Sequence, residues 1–201
     1  MFVKVCGLRT VGDVDAAVEA GADAIGFVFA ERSVRRVDPE LAARLAARVP
    51  DGVLTVGVFS DVSATAAGEI AVAAGLRAVQ LHGDYPRTAF ADLAGVPVRL
   101  IRATALTPTT DVEVGAFGED LLLLDSPVAG SGERWDLGTL DGGRPEGKWI
   151  LAGGLDPANV GQAIAASRPW GVDVSSGVES SRGVKDHGLI RDFVSAARAA
   201  T

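Results

Sequence analysis

The residues able to move protons or hold anions sit at a few defined places in the sequence. The chain has one cysteine, Cys6, which ends the apolar run Phe2–Cys6. A lone cysteine is either a small buried hydrophobe or a thiolate acting as base or nucleophile. A free thiol with a pKa near ~8.5 is only a few per cent ionised at neutral pH, so the second role requires positive charge nearby. Asp125 follows four consecutive leucines, Leu121 to Leu124. Its carboxyl either caps the turn before Pro127 or, partly desolvated, keeps a proton near neutral pH and serves as a general acid. His82 closes Val79-Gln80-Leu81-His82, where it is a hydrogen-bonded strand-end histidine rather than a catalyst. Arg35 and Arg36 form either a solvated loop pair or a bidentate clamp for a carboxylate. Gly153-Gly154 and Ser175-Ser176-Gly177 each follow an apolar run. Bare backbone there makes tight turns, or lets a phosphate approach N–H groups closely.

These residues need elements to position them. Short apolar runs alternate with longer amphipathic, Ala-rich stretches. Strands are expected at Phe2–Cys6, Ala24–Phe29, Val53–Phe59, Ala78–Leu81, Val96–Arg102, Leu121–Asp125, Trp149–Ala152 and Gly171–Val174. Helices are expected at Val11–Glu19, Pro39–Arg48, Ala64–Ala74, Arg87–Leu93, Ala158–Ala166 and Leu189–Ala199, with weak ones at Thr109–Phe117 and near Leu137. The strands are continuous apolar runs rather than in/out alternations, which fits strands buried on both faces of a parallel sheet. Eight strand–helix pairs predict a closed (β/α)8 TIM barrel, an α/β fold, in one domain spanning 1–201. An open doubly wound sheet is the alternative, but the first turn, Cys6-Gly7-Leu8-Arg9-Thr10, lacks the G-x-G-x-x-G pattern. In a barrel the working residues belong at the C-terminal ends of the strands, and those are the places just named.

Composition removes several function classes. The chain has 201 residues, 48% hydrophobic and 22% charged, which argues against disorder. One cysteine makes no internal disulfide, and with two histidines it makes a Cys/His zinc site a poor expectation. A net charge of −7 speaks against nucleic acid or an anionic membrane as partner. No apolar run approaches the ~20 residues that span a bilayer, and Met1 leads directly into a strand-like segment, so a cytoplasmic location is expected.

Six segments in order resemble the phosphoribosylanthranilate isomerase family, barrel enzymes of tryptophan biosynthesis. They are Val3-Lys4-Val5-Cys6-Gly7-Leu8, Gly21 to Phe29, Val79-Gln80-Leu81-His82-Gly83, Leu123-Leu124-Asp125-Ser126, Leu151-Ala152-Gly153-Gly154-Leu155 and Val172 to Glu179. Gly183-Val184-Lys185-Asp186 also matches. The resemblance implies a cofactor-free Amadori rearrangement of N-(5-phosphoribosyl)anthranilate, with Asp125 as general acid and Cys6 as general base. It places Arg35 at the anthranilate carboxylate. Gly153, Gly154, Ser175, Ser176 and Gly177 fall at the phosphate, and Asp173, His82, Gly130 and Gly132 near the substrate. The implied partner is a small phosphorylated metabolite, with no metal, and the chain a monomer or homodimer. Two departures from the family pattern stand out: Arg36 next to Arg35, and Glu133 where a lysine is common. A histidine-pathway aminoaldose isomerase would carry an aspartate in place of Cys6. A catalytically silent phosphate-binding barrel would not need Cys6 and Asp125 together.

Overall fold

A computed structural model of the chain describes residues 1–125 and 144–200. Eight parallel strands form a closed barrel in sequence order: β1 (Phe2–Cys6), β2 (Ala24–Val28), β3 (Leu54–Phe59), β4 (Ala78–His82), β5 (Arg99–Ala105), β6 (Leu121–Asp125), β7 (Trp149–Leu151) and β8 (Gly171–Val174), with β8 pairing back onto β1. The (β/α)8 expectation is met, and the open sheet is excluded by the β1–β8 ladder.

The continuous apolar runs are explained by two hydrophobic clusters, one on each face of the strands. Residues including Ala24, Val56, Ala78, Ile101, Leu121, Leu123 and Ile150 pack inside the barrel. Val3, Val5, Ile25, Phe27, Val79, Leu81, Leu122 and Leu124 pack outward against the helices. Phe2 stacks on Trp170 with ring centroids 4.6 Å apart beside the inner cluster.

The helices are α1 (Val11–Glu19), α2 (Pro39–Ala46), α3 (Ala64–Ala73), α4 (Arg87–Ala91), α5 (Val160–Ser167) and α6 (His187–Ala199). Their starts follow side-chain caps. Thr10 and Asp13 form a reciprocal capping box on α1, and Asp38 Oδ1 accepts from Leu41 N before α2. Helix α5 begins at Val160, two residues later than the expected Ala158. Asp156 accepts instead from Ala158 N and Asn159 N, making a separate turn that runs into the helix. Fully buried Phe193 anchors α6. Truncating it to alanine would cost about 3–5 kcal/mol.

Two other expectations shift. β5 runs from Arg99 to Ala105 rather than from Val96 to Arg102. Pro97 has no N–H to give to a ladder, and Val96 and Val98 lie in turns. The weak helix at Thr109–Phe117 does not form; that stretch is turns and loop. Buried Arg102 takes its carbonyls, donating Nη1 to Asp111 O and Nη2 to Glu113 O. The guanidinium also binds Glu119 at 2.7 Å and lies over the Phe117 ring. The helix near Leu137 falls outside the described residues. After β8 a 3-10 turn (Ser176–Val178) leads into a short antiparallel hairpin, β9 (Glu179–Ser181) and β10 (Val184–Lys185).

Candidate active site

Strand register decides which side chains meet. Side chains alternate between faces, so Lys4 and Cys6 share the inner face of β1. Lys4 stands opposite Asp173 in the β1–β8 ladder, and its Nζ donates to Asp173 Oδ1 at 2.9 Å with both residues buried. Cys6 stands opposite Gly26, whose lack of a side chain leaves the space that the sulfur occupies. Burial pushes the Cys6 thiol up; Lys4 and Lys185 pull it down, Asp173 opposes them, and the balance stays above the ordinary value.

Gln80, His82 and Asp125 come from β4 and β6. His82 Nε2 lies 3.7 Å from Asp125 Oδ2, and Gln80 Nε2 lies 3.4 Å from His82 Nδ1. If Gln80 donates there, Nδ1 accepts and the ring presents Nε2–H to Asp125. Asp125 is partly exposed at the rim rather than sealed in.

The two arginines separate. Arg36 is exposed. Arg35 turns inward across Gly7, which has φ +79° and where a Cβ would stand 2.6 Å from Arg35 Cδ. Glu179 holds Arg35 as a fork, Nε to Oε1 at 2.6 Å and Nη2 to Oε2 at 2.8 Å. The Nη1 edge is not part of that fork. Glu179 also accepts from Gly183 N and from Lys185 Nζ, at 2.9 and 3.0 Å. Burial pushes the Glu179 carboxyl up, but the bonds from Arg35 and Gly183 and the Lys185 ammonium outweigh it and bring it to about 2. Lys185 Nζ donates to Ser175 O at 2.7 Å, and Ser175 Oγ to Cys6 O at 3.2 Å. The ends of β1 and β8, the loop after β2 and the hairpin are therefore one hydrogen-bonded unit.

The two glycine-bearing segments also touch. Gly153 and Gly154 follow β7 with φ of +87° and +63°, and Asn159 Nδ2 holds Gly154 O at 2.8 Å. Gly177 packs so closely on the next residue's backbone that a Cβ there would lie 1.9 Å from Leu155 O. Gly153, Gly154, Ser175, Ser176 and Gly177 thus form one rim over β7 and β8.

Cys6, Arg35, Asp173 and Ser175 are brought together at the ends of β1 and β8, His82 and Asp125 meet at the ends of β4 and β6, and all belong to the C-terminal end of the barrel. Gly130, Gly132 and Glu133 lie outside the described residues. Lys4, Glu179 and Lys185 belong to the same hydrogen-bonded cluster and lie within the sequence motifs, although their types and spacing alone assign them no role. Lys4 carries a signal: a lysine inside an apolar strand, two residues before Cys6. Among the described residues, no group of three or more His, Cys, Asp or Glu is arranged to hold a metal ion, and no helix is long and apolar enough to cross a membrane.

The family model for N-(5'-phosphoribosyl)anthranilate (PRA) isomerase matches residues 3–196. The chain belongs to the PRA isomerase family. The match runs from β1 to α6, so every described site residue falls inside it. A PRA isomerase of Geobacter sp. (strain M21) is 44% identical over 204 residues, 98% of this chain and 97% of the relative. Among solved structures, TrpF of Jonesia denitrificans is 48% identical with a TM-score of 0.92, covering 100% of this chain and 98% of the other. A phosphoribosyl anthranilate isomerase solved with reduced 1-(o-carboxyphenylamino)-1-deoxyribulose 5-phosphate is 34% identical with a TM-score of 0.83, covering 99% of each chain.

Proposed function

We propose that this PRA isomerase converts N-(5'-phosphoribosyl)anthranilate to 1-(2-carboxyphenylamino)-1-deoxyribulose 5-phosphate, a step of tryptophan biosynthesis, with Asp125 as acid and Cys6 as base. The observation that carries the residue assignment is that Cys6 and Asp125, ending β1 and β6, both belong to the inner face at the C-terminal end of one barrel. The relative solved with a reduced form of the product supports the substrate class.

The chemistry follows from those positions. Asp125 gives its proton to the ribose ring oxygen as the C1–O bond breaks, and the anthranilate nitrogen lone pair forms the C1=N iminium. The iminium acidifies the C2–H bond. The Cys6 thiolate takes that proton, the electron pair forms C1=C2, and the nitrogen becomes neutral. The enolamine then becomes the ketone: C1 gains a proton and the C2 hydroxyl loses one. A general acid and base matched to neutral pH each contribute about 10²–10⁴-fold.

The rim formed by Gly153, Gly154, Ser175, Ser176 and Gly177 suits the phosphate, as the loops after strands seven and eight do in many barrels. The Nη1 edge of Arg35 suits the anthranilate carboxylate, with Glu179 fixing the guanidinium plane. His82 and Asp173 border the sugar. Such a chain works as a monomer or homodimer, without nucleic acid or membrane, in the cytoplasm. Purified protein should convert phosphoribosylanthranilate without added metal or nucleotide, read as loss of anthranilate-type fluorescence, and should restore growth to a tryptophan auxotroph lacking this step. Absence of both would mark a silent phosphate-binding barrel.

A further inference from the structure

Lys4 is an expensive residue in its position. Its side chain is fully buried, in a barrel interior that also holds the apolar Ala24, Val56, Ala78, Ile101 and Leu121. Removing an ammonium from water costs free energy that pairing with Asp173 does not reliably return. Replacing a buried ion pair by well-packed apolar side chains is often neutral or stabilising. The Lys4–Asp173 pair therefore calls for a role beyond holding β1 to β8.

The surroundings of Cys6 supply one. Among the described residues, the charged groups acting on the sulfur are Lys4 on its own strand, Asp173 on β8, Lys185 on β10 and Arg35 in the loop after β2. Glu179 binds the last two. These five groups carry three positive and two negative charges. With a neutral thiol the cluster holds one positive charge in excess; with a thiolate it is balanced. Lys4 is the cation on the same strand and the same face as the sulfur, and Asp173 fixes where its Nζ sits.

We propose that Lys4, aimed by Asp173, is a positioning residue for Cys6, its ammonium being the counter-ion that lets the buried sulfur carry the negative charge a base requires. The inference rests on the reading of Cys6 as the base. Asp173 anchors the ammonium and moderates it, since its own charge opposes the thiolate.

Cys6 is the sole cysteine, so the mass of the intact protein after iodoacetamide treatment reports this one sulfur. The alkylation rate is followed against pH for the folded protein, Lys4→Met and Asp173→Asn. An opposite charge at this range moves a titration by about 1–3 units, so Lys4→Met should raise the alkylation midpoint by about that much and slow the reaction below it. A merely structural Lys4 would predict the reverse, because a loosened barrel exposes the sulfur and speeds alkylation at every pH. Asp173→Asn keeps an amide oxygen able to accept from Lys4 Nζ, so the ammonium stays aimed while the opposing charge is removed; it should lower the midpoint, which keeps the test decisive if Lys4→Met does not fold. An unchanged or lowered midpoint in Lys4→Met, or an unchanged or raised one in Asp173→Asn, would overturn the proposal. Alkylation needs no substrate. Full turnover by Cys6→Ala would instead overturn the base assignment, leaving these midpoints to judge the charge effect alone.

Discussion

Gly26 vacates the space that the Cys6 sulfur fills: the two residues face each other in the β1–β2 ladder, and a Cβ at position 26 would stand 2.7 Å from Cys6 Sγ. The seat of the candidate base is therefore defined by a neighbour with no side chain. Gly26→Ala should force the sulfur aside, costing about 1–3 kcal/mol of stability as overpacking. It should also lower kcat by roughly 10²-fold, the scale of a displacement of about 1 Å at a reacting group. Denaturant melts and turnover on the folded variant check the two halves; an unchanged kcat would show that the sulfur does not work from this seat.

Arg35 and Arg36 are adjacent in sequence, but only Arg35 turns inward, held by Glu179. Arg35→Ala should raise KM for phosphoribosylanthranilate by about 10-fold or more, the loss of a charge-assisted hydrogen bond of roughly 1.5–3 kcal/mol. Arg36→Ala should leave KM near normal. Steady-state kinetics on both variants decide it, and a larger effect from Arg36→Ala would move the carboxylate clamp to the exposed arginine.

Glu179 gives the site an acid limit. Its carboxyl titrates at about 2 in the folded chain against 4.5 for the ordinary group, so the unfolded state binds this proton more readily. The stabilisation is fully present above about pH 4.5 and is lost as pH falls towards 2. Glu179→Gln should lower the melting temperature at pH 7 and converge on the wild type in strong acid. Thermal melts across pH 2–7 should show the gap closing on acidification; a gap independent of pH would mean that the ionised form of Glu179 contributes nothing.

The barrel is legible in the sequence because burial on both strand faces writes itself as unbroken apolar runs, and Cys6 and Asp125 are legible because they end two of those runs. What is not legible is set by partners far along the chain. The choice between Arg35 and Arg36 is made by Glu179, 144 residues away. Lys4 pairs with Asp173 across 169 residues, although its place on the Cys6 face follows from the two-residue strand period. The helix expected at Thr109–Phe117 is lost to Arg102, which claims carbonyls that a helix would use. β5 starts late because Pro97 cannot join a ladder.

In the proposed reaction Cys6 is the group that takes the C2 proton. The kcat of folded Cys6→Ala on phosphoribosylanthranilate, followed by loss of substrate fluorescence, tests it most directly. The predicted result is a fall of about 10²–10⁴-fold with the barrel intact, the range for loss of a general base; turnover close to that of the unsubstituted chain would contradict it.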